Sequence, residues 1–252
     1  NPYMYFMTNI TVTVEKDTYW VGVELASRNS TTAIGRVLQK SGTVVVDRPS
    51  GDANNFQVGG FGPVGATGVY ELTGGTLCVS NGIACLTKGT ANGIFRQTGG
   101  VADFASRWET KAKQPGSRVE LLGGTFVLHA ATSEAGAKDD WIMGGAKLVF
   151  DGAPYIFYKW VKDGVLSPAS FEVTGKGGDA TIEVKDENKF LISSRFIGKG
   201  NLVKTGKGDL YLRGSVEIPK LTVREGRVLF LSEPPKTLEV VTEDGIAERG
   251  TH

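Results

Sequence analysis

The chain repeats itself, and that repetition limits its fold more than any local propensity does. Laid on itself, the 252-residue sequence aligns on a pair of small residues: Ser41-Gly42-Thr43, Gly74-Gly75-Thr76, Gly99-Gly100-Val101, Gly123-Gly124-Thr125 and Gly144-Gly145-Ala146. The second residue of each pair steps by 33 (75 − 42), 25 (100 − 75), 24 (124 − 100) and 21 (145 − 124). Units of this length cannot bury an apolar face alone, so they must stack on their neighbours. After each pair comes a β-rich run, TVVVD, TLCVS, VADFA, TFVLH or AKLVF, and before the later four comes another, YEL, FRQ, VEL or DWI. Period-two alternation and β-branched content make these runs strands, with the glycines at the bends. Helical periodicity of useful length is absent, and so is the asparagine ladder of a leucine-rich repeat.

Strands recurring every ~22–25 residues and joined by bends describe coils of a β-solenoid, stacked at the interstrand spacing of ~4.8 Å. Stacking in register predicts side-chain columns. One inward column reads Leu72, Gln97, Leu121, Ile142, and its neighbour reads Tyr70, Phe95, Val119, Asp140. Between them Glu71, Arg96, Glu120 and Trp141 point to water, the first three as a ladder of alternating charge. Beyond the bend, Val44, Leu77, Ala102, Phe126 and then Val46, Val79, Phe104, Leu128 continue the core. Gln97 needs partners in an inward slot. Asp140 breaks its column, which suggests that the last coil is shifted by one residue.

Composition agrees with this architecture and excludes several function classes. Glycine occupies 35 positions, about twice the usual share of roughly 7%. A net charge of +1, with no basic stripe, gives no case for nucleic acid or an anionic membrane. No run approaches the ~18 apolar residues of a membrane span. The amino end, NPYMYFMTNI, lacks the regions of a secretory signal, so the chain reads as a mature or trimmed fragment.

From Phe171 onward the accent changes. The stretch NLVKTGKGDLYLRG, residues 201–214, sets Leu202, Lys204, Gly206, Gly208, Leu210, Leu212 and Gly214 in an L-x-K-x-G-x-G-x-L-x-L-x-G arrangement. It resembles the autotransporter-associated β-strand repeat, also called the passenger-associated transport repeat. KLTVREGRVLF, Lys220 to Phe230, is similar to that repeat's second half, with Val228 in place of leucine. The likeness covers roughly residues 41–231 and implies a right-handed parallel β-helix in a secreted or cell-surface bacterial protein. Within the motif, Leu210 and Leu212 are expected in the core, Gly206 and Gly208 at a tight bend, and Lys204 outward. The family rhythm is interrupted around 155–170.

Residues 1–40 read as an N-terminal cap with the first coils, in which SRNSTTAIGRVLQK is either a short helix or a further coil. Residues 41–231 are the β-helix repeats. Residues 232–252 form a C-terminal cap or tail, with Pro234 and Pro235 where strand pairing is expected to stop.

Few residues suggest chemistry. Polysaccharide lyases and hydrolases on this scaffold use acids on an outer sheet face, for which Asp139 and Asp140 beside Lys138, with Asp103 and Glu120, are the nearest candidates. The segment Ala137-Lys138-Asp139-Asp140 reads more simply as a solvated turn, and His129 stands alone, so no catalytic residue is assigned. Cys78 and Cys85 are spaced by seven (85 − 78) with no zinc pattern around them. A disulfide across the Asn81-Gly82 bend and two unpaired thiols stay equally open. TGKGGDAT lacks the spacing and strand-to-helix setting of a phosphate loop, and no cofactor or metal is implied. The aromatics of PYIFYKW, namely Tyr155, Phe157, Tyr158 and Trp160, are the candidate ligand-binding residues, as a sugar-stacking platform or a cover over the core.

The expectation is thus an all-β parallel β-helix. It would serve as a non-enzymatic stalk or adhesin, secreted or on a bacterial surface, meeting a host or environmental glycan or a surface protein. A carbohydrate-active enzyme or a carbohydrate-binding module on the same scaffold is the alternative.

Overall fold

The structure, a computed structural model, describes residues 3–5, 10–26, 31–47, 54–133, 136–152, 163–186 and 188–250. Every regular element among them is a β-strand, 28 in all. All strand pairs are parallel, and they form sheets of 14, 9 and 5 strands. The chain is a three-sided parallel β-helix. One coil runs through Ile34–Gln39, Thr43–Asp47 and Asn54–Gly60, and the next through Thr67–Leu72, Thr76–Ser80 and Ile83–Thr87. Each strand pairs with its counterpart one coil on. No helix is long and apolar enough to cross a membrane among the described residues.

The small-residue pairs recur for a steric reason. Gly42, Gly75, Gly100 and Gly124 all hold φ between 70° and 79°, where a side chain is strained. A Cβ on Gly75 would sit 2.3 Å from the Gly42 carbonyl oxygen, and one on Gly100 would sit 2.4 Å from that of Gly75. Each coil therefore needs glycine where it bends over the glycine of the coil before.

The inward columns follow the repeat. Val44, Leu77, Ala102 and Phe126 share one register, and Val46, Val79, Phe104 and Leu128 share the next; all eight are fully buried. Tyr70, Phe95 and Val119 stack as expected, but the column continues through Trp141 rather than Asp140, and its neighbour through Met143 rather than Ile142. Trp141, expected in water, is buried, and Ile142 takes the outward slot above Glu120. The coil is shifted by one residue because Gly144-Gly145 enters its bend one position early, leaving Ala146 opposite Gly124. The shift allows the core to run on as an aromatic stack, with ring centroids of Trp141 and Phe171 at 6.2 Å and of Phe171 and Phe196 at 4.5 Å.

Gln97 finds its partners at the bend, where its Nε2 donates to the carbonyls of Gly100 (3.1 Å) and Thr125 (3.0 Å). Gln39 makes the same two bonds two coils earlier, to Gly42 (3.2 Å) and Thr76 (2.9 Å). An inward amide thus satisfies carbonyls that a leucine in the same slot would leave to the backbone alone.

Two expectations about the ends resolve differently. Ile34–Gln39, which the sequence leaves open between helix and coil, is a coil strand. Pairing does not stop at Pro234 and Pro235: Glu239–Thr242 and Ile246–Arg249 add one more coil below Lys220–Val223 and Arg227–Phe230. The prolines occupy only the loop between faces.

Candidate functional site

The outer faces carry the charged residues, and most of these are tied to one another. Arg96 lies between Glu71 and Glu120 of the neighbouring coils, with Nη1 3.2 Å from Glu71 and Nε 2.5 Å from Glu120. Arg36 and Arg118 close the ladder at its two ends. Burial pushes the Glu120 carboxyl up, yet hydrogen bonds from Arg96 and Arg118 outweigh it and hold the group below its ordinary value. Asp140 accepts from Ser170 Oγ at 2.7 Å, and Asp103 meets His129 Nε2 at 3.0 Å.

Asp139 is not in a solvated turn. It is 1% exposed, directly ahead of the register Arg118–Asp140, in the inward slot that Gly68, Gly93 and Ser117 occupy in earlier coils. Trp141 Nε1 donates to Asp139 Oδ2 at 3.3 Å, and burial pushes the carboxyl up to about 6. Asp139 points to the core and Asp140 to the outer face, so the adjacent acids do not converge on one substrate position.

Cys78 and Cys85 are free thiols, so of the two open readings the structure has the unbridged one. Their strands pair with different stretches of Val101–Thr110 in the 14-stranded sheet, and Asn81 (φ 59°) and Gly82 (φ 67°) turn the chain between them. Cys78 faces outward beside Asp103, whereas Cys85 is buried in a polar column with Gln57 and Glu109. Burial pushes the Cys85 thiol up to about 12, the opposite of what a nucleophilic cysteine requires.

Lys204 overturns its expected outward placement. Its side chain is fully buried, and Nζ donates to the carbonyls of Thr205 (2.8 Å), Gly206 (2.7 Å) and Glu225 (3.1 Å). Desolvation lowers its pKa to about 8, against the pull of Asp209, Glu225 and Glu183. Its neighbours behave as the motif suggests: Leu210 and Leu212 fill the core, and Gly206 turns at φ 75°.

An open polar groove not anticipated from sequence runs down the outer face of the carboxyl-terminal coils, lined by Lys147, Glu183, Arg224, Glu225, Glu243 and Asp244. Glu183 pairs with Lys147, Glu243 lies 3.7 Å from Arg224, and Glu225 accepts the Gly206 N–H. The signal that could have found it is the coil spacing of 19 (244 − 225), which sets the acid Asp244 one coil beyond the acid Glu225. No three metal-ligating side chains cluster among the described residues. Tyr155, Phe157, Tyr158 and Trp160 lie outside the described residues.

The fold defines the class, a parallel β-helix with structural charge ladders on its outer faces. No protein-family model matches the chain, and no curated protein and no solved structure matches it.

Proposed function

We propose that this chain is a non-enzymatic stalk or adhesin-like β-helix, secreted or displayed on a bacterial surface. The observation that supports this reading most is the employment of the outward carboxylates. Glu71 and Glu120 clamp Arg96, Asp209 takes Arg227 through two bonds of 2.9 and 2.6 Å, and Glu183 takes Lys147. Such pairs fix coil against coil and leave those carboxylates engaged rather than free to exchange protons with a substrate. The bacterial, extracellular setting rests on the resemblance of residues 201–214 to the passenger-associated repeat. In this reading the partner is a glycan or surface protein met by Tyr155, Phe157, Tyr158 and Trp160. A glycan array tests it: binding lost in Trp160→Ala supports an adhesive face there, and binding unchanged in that variant removes the aromatics from the account.

A second reading, a carbohydrate-active or carbohydrate-binding protein, draws on the polar groove. Four carboxylates beside Lys147 and Arg224 would suit a hydroxyl-rich chain. Glu183→Gln and Glu243→Gln on the same array separate the two surfaces.

A further inference from the structure

The five-stranded sheet carries an outward column that is apolar in coil after coil. Its strands Asp163–Leu166, Lys189–Ile192, Asp209–Leu212 and Arg227–Phe230 stack in register. Phe190, Leu210 and Val228 fill the core, and successive residues of a strand point to opposite faces. Val165, Leu191, Tyr211 and Leu229 therefore share one outward column, each half-buried. Outward columns on the other faces are broken by charge, as in Leu38–Glu71–Arg96–Glu120 and Val45–Cys78–Asp103–Val127. One apolar side chain per coil along a solvent face makes a contact surface.

Cations flank this stripe on alternate sides. Lys189 lies two residues before Leu191, Arg213 two residues after Tyr211, and Arg227 two residues before Leu229. Arg213 continues the ladder past its strand, its amide donating to the Ile192 carbonyl at 3.0 Å, so its side chain takes an outward slot as well. Across the stripe from these three stand Ser193, Asp209 and Leu231, so no coil has a cation at both edges. Lys189 and Arg213 are exposed and take part in no ion pair among the described residues. Arg227 is already held by Asp209 through bonds of 2.9 and 2.6 Å, which leaves recognition chiefly to the first two. A flat apolar stripe with unpaired cations at its two edges suits an extended, anionic partner.

We propose that this face binds a β-1,4-linked polyuronate laid along the axis of the helix, one sugar ring over each coil. Coils repeat at ~4.8 Å, close to the advance of one ring in such a chain. The chain is a flat ribbon in which each ring is turned over relative to the last, so successive carboxylates leave from opposite edges. A ring over Leu191 then turns its carboxylate to Lys189, the next, on the Tyr211 ring, to Arg213, and a third, over Leu229, to Arg227. The acid Asp209 stands at the edge where no carboxylate falls.

The proposal rests on the adhesive reading only in taking a glycan as partner, and it uses none of Tyr155, Phe157, Tyr158 and Trp160. The probe is a β-1,4-linked mannuronate hexamer labelled with a fluorophore at its reducing end, and its anisotropy is followed against the intact chain. Saturable binding is expected, weakened at least tenfold in Lys189→Gln/Arg213→Gln and unchanged in Trp160→Ala. Neither cation has an ion pair to lose, so the double variant should melt with the wild type. Arg213→Gln with Ser193→Arg keeps the net charge but sets both cations beside one ring, and it should not restore binding. The neutral β-1,4-linked mannose hexamer, and the α-1,4-linked galacturonate hexamer, which carries the same charge on a chain of different twist, should bind at least tenfold more weakly. No saturable binding of the mannuronate hexamer overturns the proposal, as does binding that survives Lys189→Gln/Arg213→Gln, is restored by Ser193→Arg, is lost in Trp160→Ala or is matched by the galacturonate hexamer.

Discussion

Lys204 and Glu225 clasp each other across adjacent coils: Lys204 Nζ donates to the Glu225 carbonyl at 3.1 Å, and the Glu225 carboxylate accepts the Gly206 N–H at 3.1 Å. The ammonium also binds the carbonyls of Thr205 and Gly206, so one buried cation ties off the bend between two faces of the helix. Lys204→Met keeps the length of the side chain and removes the donor. It should cost about 1–3 kcal/mol, the range for leaving buried polar groups unsatisfied. The urea midpoint reads this out, and an unchanged midpoint would show that the clasp is dispensable.

Two buried groups give stability opposite slopes with pH. The Lys204 pKa is lowered from 10.5 to about 8, so between these values the unfolded chain binds the proton that the folded chain has released. Its contribution rises as pH climbs through that window. The Asp139 pKa is raised from 3.8 to about 6, so there the folded chain holds the extra proton and stability falls as pH rises from 3.8 to 6. Urea midpoints taken across both windows should lose the upper slope in Lys204→Met and the lower one in Asp139→Asn. A wild-type profile retained in both variants would assign the slopes to other groups.

Tyr70 supports the Gln39 cap. Its hydroxyl donates to Gln39 Oε1 at 2.7 Å, leaving the Gln39 amide nitrogen to hold the Gly42 and Thr76 carbonyls. Tyr70→Phe should destabilise by about 1–2 kcal/mol through the acceptor left bare. Gln39→Leu combined with Tyr70→Phe should recover part of that loss, because replacing both partners removes the orphan. A double-mutant cycle measures the coupling, and strict additivity would contradict it.

Gly68 marks the tightest approach in the amino-terminal coils. A Cβ there would lie 1.5 Å from the Val58 carbonyl oxygen, which is rigid backbone. Gly68→Ala should therefore cost about 3 kcal/mol, the upper end for overpacking, and lower Tm accordingly. A melting temperature equal to the wild type would mean that the corner can open.

The amino-terminal columns were readable because a steric demand repeats with them: glycine over glycine at each bend prints the coil boundary into the sequence. Trp141 and Asp140 sit one position from where the pattern sets them because Gly144-Gly145 resembles the earlier pairs while occupying a different place in its bend. Lys204 and Asp139 depart from their sequence expectation for another reason. Charged residues default to the surface, and only the three carbonyls around Lys204 and the inward slot shared with Gly93 and Ser117 reverse that default. The groove was invisible because its acids come from separate coils and converge only when stacked. Pro234 and Pro235 suggested an end to pairing, but a proline in a corner loop leaves the strands on either side free to form.

Turnover on a panel of polysaccharides, scored by reducing ends and by unsaturated products, tests the central claim most directly. The account predicts no product above that of buffer, because outer-face acids such as Glu71, Glu120, Glu183 and Asp209 are engaged in coil-to-coil pairs. Product that forms with the wild-type chain and disappears in Glu183→Gln or Glu243→Gln would contradict it and make the groove an active site.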